Sequence, residues 1–150
     1  MTDAAATTDP AAMFRAFNEQ LIAHVRANRG VVTEGPFTGR PILLLTTHGG
    51  RTGVSRVSPL VYSRDGDRYV IVASKGGAPT HPHWYLNLLK SPRVTVETGG
   101  ETFTARATVA EPEARRRALF DAHATEHPGF KDYELKTERR IPVVVLEREA

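Results

Sequence analysis

Between Thr46 and Leu60 an apolar run passes into a polar extended one through Gly49-Gly50-Arg51-Thr52-Gly53, and no other stretch restricts the fold as much. Three glycines in five positions allow positive φ without a Cβ penalty, so the chain can reverse here while successive N–H groups converge. Such a turn joins strands and suits an anion. Arg51 and Arg56 add charge that does not titrate at ordinary pH. Pro59 cannot donate to a ladder, which predicts an edge position or a bulge for the outgoing strand.

The apolar periodicity supplies the remaining elements. Asp9-Pro10 reads as a cap followed by proline at the first helical position, and Gly30 as the far cap. Phe14, Phe17, Leu21 and Val25 recur between them at helical spacing, with Met13 and Ile22 widening the stripe. This face is expected to pack on the domain; because the helix is basic and terminal, it is also a candidate for peripheral membrane contact. Strands are predicted over Ile42 to Thr47 and Val54 to Tyr62, and, after the Asp65-Gly66 hairpin signal, over Tyr69 to Ala73. These three read as an antiparallel meander. Ser74-Lys75-Gly76-Gly77-Ala78-Pro79 is a second glycine-rich loop at a strand end, and a short helix runs from Pro82 to Lys90. Val94 to Thr98 and Thr102 to Val109 flank Gly99-Gly100 as another hairpin, and Pro142 to Glu147 is a closing strand. Pro112 opens a helix that Pro128-Gly129 ends, with Ala114, Ala118, Leu119 and Ala122 inward. Arg115-Arg116-Arg117 fan around that helix by roughly 100° each and read as a solvated surface. Six strands and three helices predict a mainly β protein with helices, built as a small closed or split antiparallel barrel.

A chain of 150 residues fits one domain. Residues 1–12 are expected to be a flexible tail and residues 13–150 the domain. Without a basic start followed by an apolar run, the tail does not read as a secretory signal, so a cytoplasmic protein is expected. The longest apolar runs are far too short to cross a bilayer. No cysteine is present, which removes thiolate chemistry and disulfides. A net charge of +3 favours anionic partners weakly, and with only 7% aromatic residues the basic, aromatic-interleaved stripe of a nucleic-acid binder is missing.

Known phosphate motifs do not fit the first turn. It lacks the P-loop spacing and opens no helix, and Gly50-Arg51-Thr52-Gly53 joins strands where a KH clamp would join helices. Paired with Lys75, however, Arg51 and Arg56 would make a three-cation site if both glycine-rich loops leave the sheet at one end. His123-Ala124-Thr125-Glu126-His127 matches an inverted zinc-protease pattern. With Pro128-Gly129 following at once and no third ligand in sight, no metal is expected. Trp84 can pack in the core or flank a planar ligand, and Phe130 and Tyr133 can close over a pocket or anchor a loop.

Taken in order, TTHGGRTGVSRVSPLVY, DGDRYVIVASKGG, PHWYLNLLKSPRV and TERRIPVVVLE resemble the deazaflavin-dependent nitroreductase family of actinobacteria over about residues 13 to 148. The resemblance implies a six-stranded split β-barrel, FMN-binding split-barrel-like, that binds coenzyme F420 and uses its reduced form. It also implies that Arg51, Thr52 and Arg56 hold the phosphate and glutamate tail, with Gly50 standing where one branch carries another cation. Ser58, Pro59 and Leu60 would line the deazaflavin ring; Ser74, Lys75, Gly76 and Gly77 would meet its polar edge; Trp84 and Asn87 would lie beside it. Val61, Ser74, His127, Phe130 and Tyr133 would form the substrate side. Val61, His127 and Phe130 stand where a nitroimidazole-reducing member has tyrosines, so bulky nitroimidazoles are not expected substrates.

The expected activity is hydride transfer from reduced deazaflavin to a quinone, an enone or lactone, or a nitroaromatic, with Ser74 and Tyr133 as candidate catalytic donors to the developing oxyanion. A carrier that binds deazaflavin without turnover, and an FMN- or haem-binding split barrel, are the rival readings. Monomer and homodimer are both compatible with such a barrel, since an exposed edge can be buried by a second copy or by the chain's own helices.

Overall fold

The computed structural model describes residues 10–30, 32, 33, 35, 37–48 and 55–149. In chain order these form α1 (Pro10–Ala27), β1 (Ile42–His48), β2 (Ser55–Val61), β3 (Ser63–Asp65), β4 (Arg68–Val72), a 3₁₀ turn (Lys75–Gly77), α2 (His83–Lys90), β5 (Arg93–Thr98), β6 (Glu101–Val109), α3 (Glu113–Glu126), α4 (Gly129–Lys136) and β7 (Val143–Arg148). The strands make one sheet in the order β2-β1-β5-β6-β7-β4-β3, with every neighbouring pair antiparallel.

Seven strands appear in place of the expected six because the second strand changes partner along its length. Ser55–Val61 pairs with β1, whereas Ser63–Asp65 pairs with β4. Only Tyr62 separates them. Since β2 and β3 lie at opposite ends of the strand order, the two edges of the sheet meet at this residue, and the sheet curls into a barrel. Closure stops part-way. The β3–β4 register ends at Ser63↔Val70, so Ile71 and Val72 pair with β7 alone while β2 pairs with β1 alone. A slit therefore opens between β2 and the end of β4. Pro59 sits on the slit-side edge strand, in continuous register with Leu44, as its missing donor requires.

The expected three-strand meander is not formed, because β4 lies between β7 and β3 and never pairs with β2. Alternating strand directions nevertheless make β1 and β4 run the same way. The C-terminal ends of β1 and β4 thus lie at the same end of the sheet, by a route different from the meander.

Strand alternation divides the core. Leu43, Leu45, Ile71, Val94, Val96, Ala105, Val144 and Leu146 face inward and meet Trp84, Tyr85 and Leu88 of α2, which plugs the barrel beside the slit. On the outside, Ile42 and Leu44 lie under Leu21, Ile22 and Val25 of α1, and Phe120 and Ala124 of α3 cover Val70, Val72, Val143 and Val145. Burying each such side chain stabilises by about 1.5–3 kcal/mol.

Four helical expectations change. Only the second half of the α1 stripe packs; Met13 and Phe14 are exposed and Phe17 meets Phe37 at 6.2 Å between ring centroids. The buried residues of α3 are Arg116, Phe120, His123 and Ala124, while Ala114, Ala118 and Ala122 are exposed. Arg116 is only 4% exposed, so the triple arginine is not a uniformly solvated surface. Its Nη1 donates to the Ile141 carbonyl at 2.9 Å, and its Nε and Nη2 grip Glu113, both at 2.7 Å. That fork, with Arg140 also bridging to Glu113, holds the Glu113 carboxyl down to about 2. Finally, Gly129, read as part of a stop signal, begins α4.

Candidate functional site

Each rim of the slit is built from residues singled out by sequence. On the β2 rim, the register pairs Leu43 with Leu60, Leu45 with Ser58 and Thr47 with Arg56. Cross-strand partners share a face, so Arg56, Ser58 and Leu60 share the face of inward-pointing Leu43 and Leu45. Thr47 is fully buried and its Oγ1 accepts from Asn87 Nδ2 at 3.2 Å. This bond ties α2 to the strand position opposite Arg56.

On the opposite rim, Ala73 is buried in the core cluster that contains Trp84, and Leu60 packs against that cluster. The turn that follows is left-handed through Lys75, Gly76 and Gly77, with φ of 49°, 64° and 84°. Lysine rarely adopts such a φ. A Cβ on Gly77 would stand 2.8 Å from Lys136 Cβ and 2.9 Å from the Tyr133 carbonyl oxygen, so α4 rests directly on the turn and glycine is required for that approach. A Cβ on Gly76 would meet nothing within 4 Å, leaving space on the open side.

Among the described residues no carboxylate pairs with the cations of the two rims. Arg56 has no hydrogen-bond or ion-pair partner among them, and Lys75 Nζ reaches only the Thr80 hydroxyl, at 3.1 Å. Elsewhere Arg26, Arg68, Arg93, Arg117 and Arg148 each hold a carboxylate. Leu60 packs against the apolar cluster that holds Ala73 and Trp84, and Arg56 and Lys75 stand on the two rims that flank it. Gly50, Arg51 and Thr52 lie outside the described residues, although His48 and Ser55 stand opposite each other with His48 Nδ1 and Ser55 Oγ at 3.0 Å.

The residues expected on the substrate side are not all brought together. Tyr133 is half-buried on α4, its ring 5.2 Å from that of Phe130 and 5.8 Å from Lys136 Nζ. Val61 faces away from the Trp84 cluster, packed with Ile42, Leu44 and Val25 under α1. His127 is buried and spoken for: Arg40 Nη1 donates to its Nδ1 at 3.0 Å and its Nε2 donates to the Tyr62 carbonyl at 3.1 Å. A guanidinium only donates and a carbonyl only accepts, so the ring proton is on Nε2. His123 stacks on it at 5.0 Å and shares a 2.8 Å hydrogen bond between Nδ1 and Ser63 Oγ. The histidines of the H-x-x-E-H pattern thus clamp the barrel seam at Tyr62.

One residue of the site stood in the TERRIPVVVLE motif with no role assigned to it. Arg139 donates from Nε to the Ala78 carbonyl at 3.0 Å, from Nη1 to the Ala73 carbonyl at 3.1 Å, and from Nη2 to the Ser74 carbonyl at 2.7 Å. It lies in the lead-in to β7, where the sequence suggested only the approach to a strand.

Comparison with known proteins bears on the family and the fold. Residues 18–148 match the family described as F420H(2)-dependent quinone reductase. An F420H(2)-dependent quinone reductase of Mycobacterium tuberculosis is 42% identical over 110 residues, covering 72% of this chain and 74% of that protein. Among solved structures, an F420-H2 dependent reductase superposes with a TM-score of 0.65 at 38% identity, over 72% of this chain and 95% of its own. A domain-swapped dimer superposes with a TM-score of 0.66 at 32% identity, over 93% and 100%.

Proposed function

Because the chain belongs to the F420H(2)-dependent quinone reductase family, with F420H2 as hydride donor, we propose that the slit between β2 and the Ala73–Gly77 segment is its coenzyme site and that a quinone is its acceptor. The observation that supports this reading is the pair of cations without a carboxylate partner among the described residues, Arg56 on one rim and Lys75 on the other, flanking the apolar cluster of Leu60, Ala73 and Trp84. When bound, the reduced deazaflavin supplies the hydride. The chain's own residues bind and orient. Arg56 and Lys75, together with Arg51 and Thr52 beside Gly50, take the phosphate and glutamate tail; Ser58, Pro59 and Leu60 take the ring; Ser74, Gly76 and Gly77 meet its polar edge; Trp84 and Asn87 exclude water from the other side.

Tyr133 is carried by α4, which rests on the same turn; in this reading it donates to oxygen on the acceptor, with Ser74 as second donor. Losing a positioned donor costs on the order of 10²–10⁴ in rate. Val61 packs under α1, Phe130 packs on the outer cluster beneath α3 with its ring 4.4 Å from that of His123, and His127 holds the seam, which leaves Tyr133 as the aromatic residue for the acceptor wall. Enones, lactones and nitroaromatics are further acceptors to be ranked against quinones.

Titration with oxidised coenzyme, followed by reoxidation of the reduced form by a soluble quinone, tests the proposal. Binding with reoxidation is expected. Binding alone would identify a carrier, and no binding by the unmodified protein would remove the assignment.

Two features favour extensions of this reading. Met13, Phe14 and Phe17 form an exposed apolar stripe on α1, which suits peripheral contact with a membrane that holds lipophilic quinones; flotation with anionic vesicles tests it. No described helix is long and apolar enough to cross a bilayer. The domain-swapped relative makes a homodimer the assembly to look for by sedimentation.

A further inference from the structure

We infer that Arg139 is a positioning residue for coenzyme binding: its guanidinium holds the Ala73–Ala78 wall in the conformation that presents Ser74 and Lys75 to the slit. The inference rests on the slit being the coenzyme site. Three backbone carbonyls, of Ala73, Ser74 and Ala78, converge on this one side chain, and its Nη1 also lies 3.0 Å from His81 Nδ1. Among the described residues Arg139 has no carboxylate partner. Its donors go to the wall, and burial lowers its pKa.

The turn needs this support. Its own backbone supplies two closing bonds, Gly77 N–H to Ser74 O at 3.0 Å and Ala78 N–H to Lys75 O at 3.1 Å. Against them stands the left-handed φ of Lys75, the one residue of the three that bears a side chain; Gly76 and Gly77 adopt theirs without a Cβ penalty. A guanidinium fork can satisfy several carbonyls at fixed angles, which a lysine ammonium cannot do.

The same group reaches α2. Because arginine only donates, His81 Nδ1 accepts and the His81 ring proton is on Nε2; that ring packs 4.9 Å from the Tyr85 ring. Tyr85 adjoins Trp84 and lies two positions before Asn87. Arg139 thus links the approach to β7, the slit wall and the helix that plugs the barrel.

The test compares Arg139→Gln and Arg139→Lys with Lys75→Ala. Coenzyme affinity is read by fluorescence titration, KM separately for coenzyme and quinone, and the His81 ring ¹⁵N shifts by NMR in the absence of coenzyme. Arg139→Gln is expected to raise the coenzyme Kd and KM on the order of tenfold, with the quinone KM moving less than about twofold, as loss of charge-assisted hydrogen bonds to one wall requires. The His81 shifts are expected to leave the fixed Nε2–H pattern. Arg139→Lys should fall between, and Arg139→Gln should add little in the Lys75→Ala background. If the glutamine variant does not fold, the lysine variant carries the same comparison.

A folded Arg139→Gln protein with unchanged coenzyme Kd, or with reduced turnover at unchanged coenzyme KM, would overturn the inference. Coenzyme binding weakened by Lys75→Ala but not by Arg139→Gln would overturn it alone, whereas absence of binding by the unmodified protein would remove the site reading beneath it.

Discussion

Asn87 Nδ2 donates to Thr47 Oγ1 at 3.2 Å, and Thr47 is fully buried opposite Arg56. The bond joins the helix that plugs the barrel to the strand end that carries a slit-side cation. Asn87→Ala would leave the Thr47 hydroxyl buried and unpaired, which costs about 1–3 kcal/mol. A fall of that size in urea-unfolding free energy is expected, with weaker coenzyme binding; unchanged values for both would show that the bond does neither task.

Arg56 separates binding from stability. It is exposed and has no partner among the described residues, so Arg56→Ala should change stability by less than about 0.5 kcal/mol. Coenzyme affinity should nevertheless fall, and its dependence on salt should flatten, because exposed charge contacts are screened. Titration at two ionic strengths reads both effects. An equal salt slope in variant and parent would place the tail elsewhere.

Gly77 and Gly76 make a matched pair. Both have positive φ, at 84° and 64°, but only Gly77 would drive a Cβ into α4. Gly76→Ala should cost only the conformational term of about 1–2 kcal/mol. Gly77→Ala adds a clash with Lys136 Cβ and the Tyr133 carbonyl, so its melting temperature should drop further and turnover should fall as Tyr133 is displaced. Equal melting temperatures for the two variants would contradict the packing of α4 on the turn.

His123 gives the fold an acid limit. Burial first, then the charge of His127, lowers its pKa from the ordinary 6.5 to about 3. Between those values the unfolded chain binds the proton and the folded one does not. The stabilisation is therefore complete above pH 6.5 and is lost as pH falls toward 3, by roughly 1 kcal/mol per pH unit. Unfolding free energies measured across this window should slope less in His123→Phe than in the parent, and identical slopes would discount the histidine.

Local patterns reveal the strands and turns because they are local signals: short apolar runs, Asp65-Gly66, Gly99-Gly100. The change of partner at Tyr62 has no such signal, since Val61, Tyr62 and Ser63 remain extended and only the neighbour differs. The inward face of α3 was legible in principle, as Arg116, Phe120, His123 and His127 follow helical spacing, but an arginine in that series reads as surface until Glu113 and the Ile141 carbonyl are seen to satisfy it. The slit residues of β2 and the second glycine-rich segment were legible as a motif. Arg139 was visible only as a letter of the TERRIPVVVLE motif, without a role, because that role depends on carbonyls some sixty residues away in sequence.

Tyr62 has a mechanical consequence. The strand that borders one rim of the slit continues through this single residue into the pairing that fixes the other, so neither jaw can swing as a flap. The gap widens only if the circumference of the whole sheet changes, which close-packed interiors resist. A movement at either rim must therefore be passed around the sheet through its backbone hydrogen bonds, from β2 through β1, β5, β6 and β7 to β4.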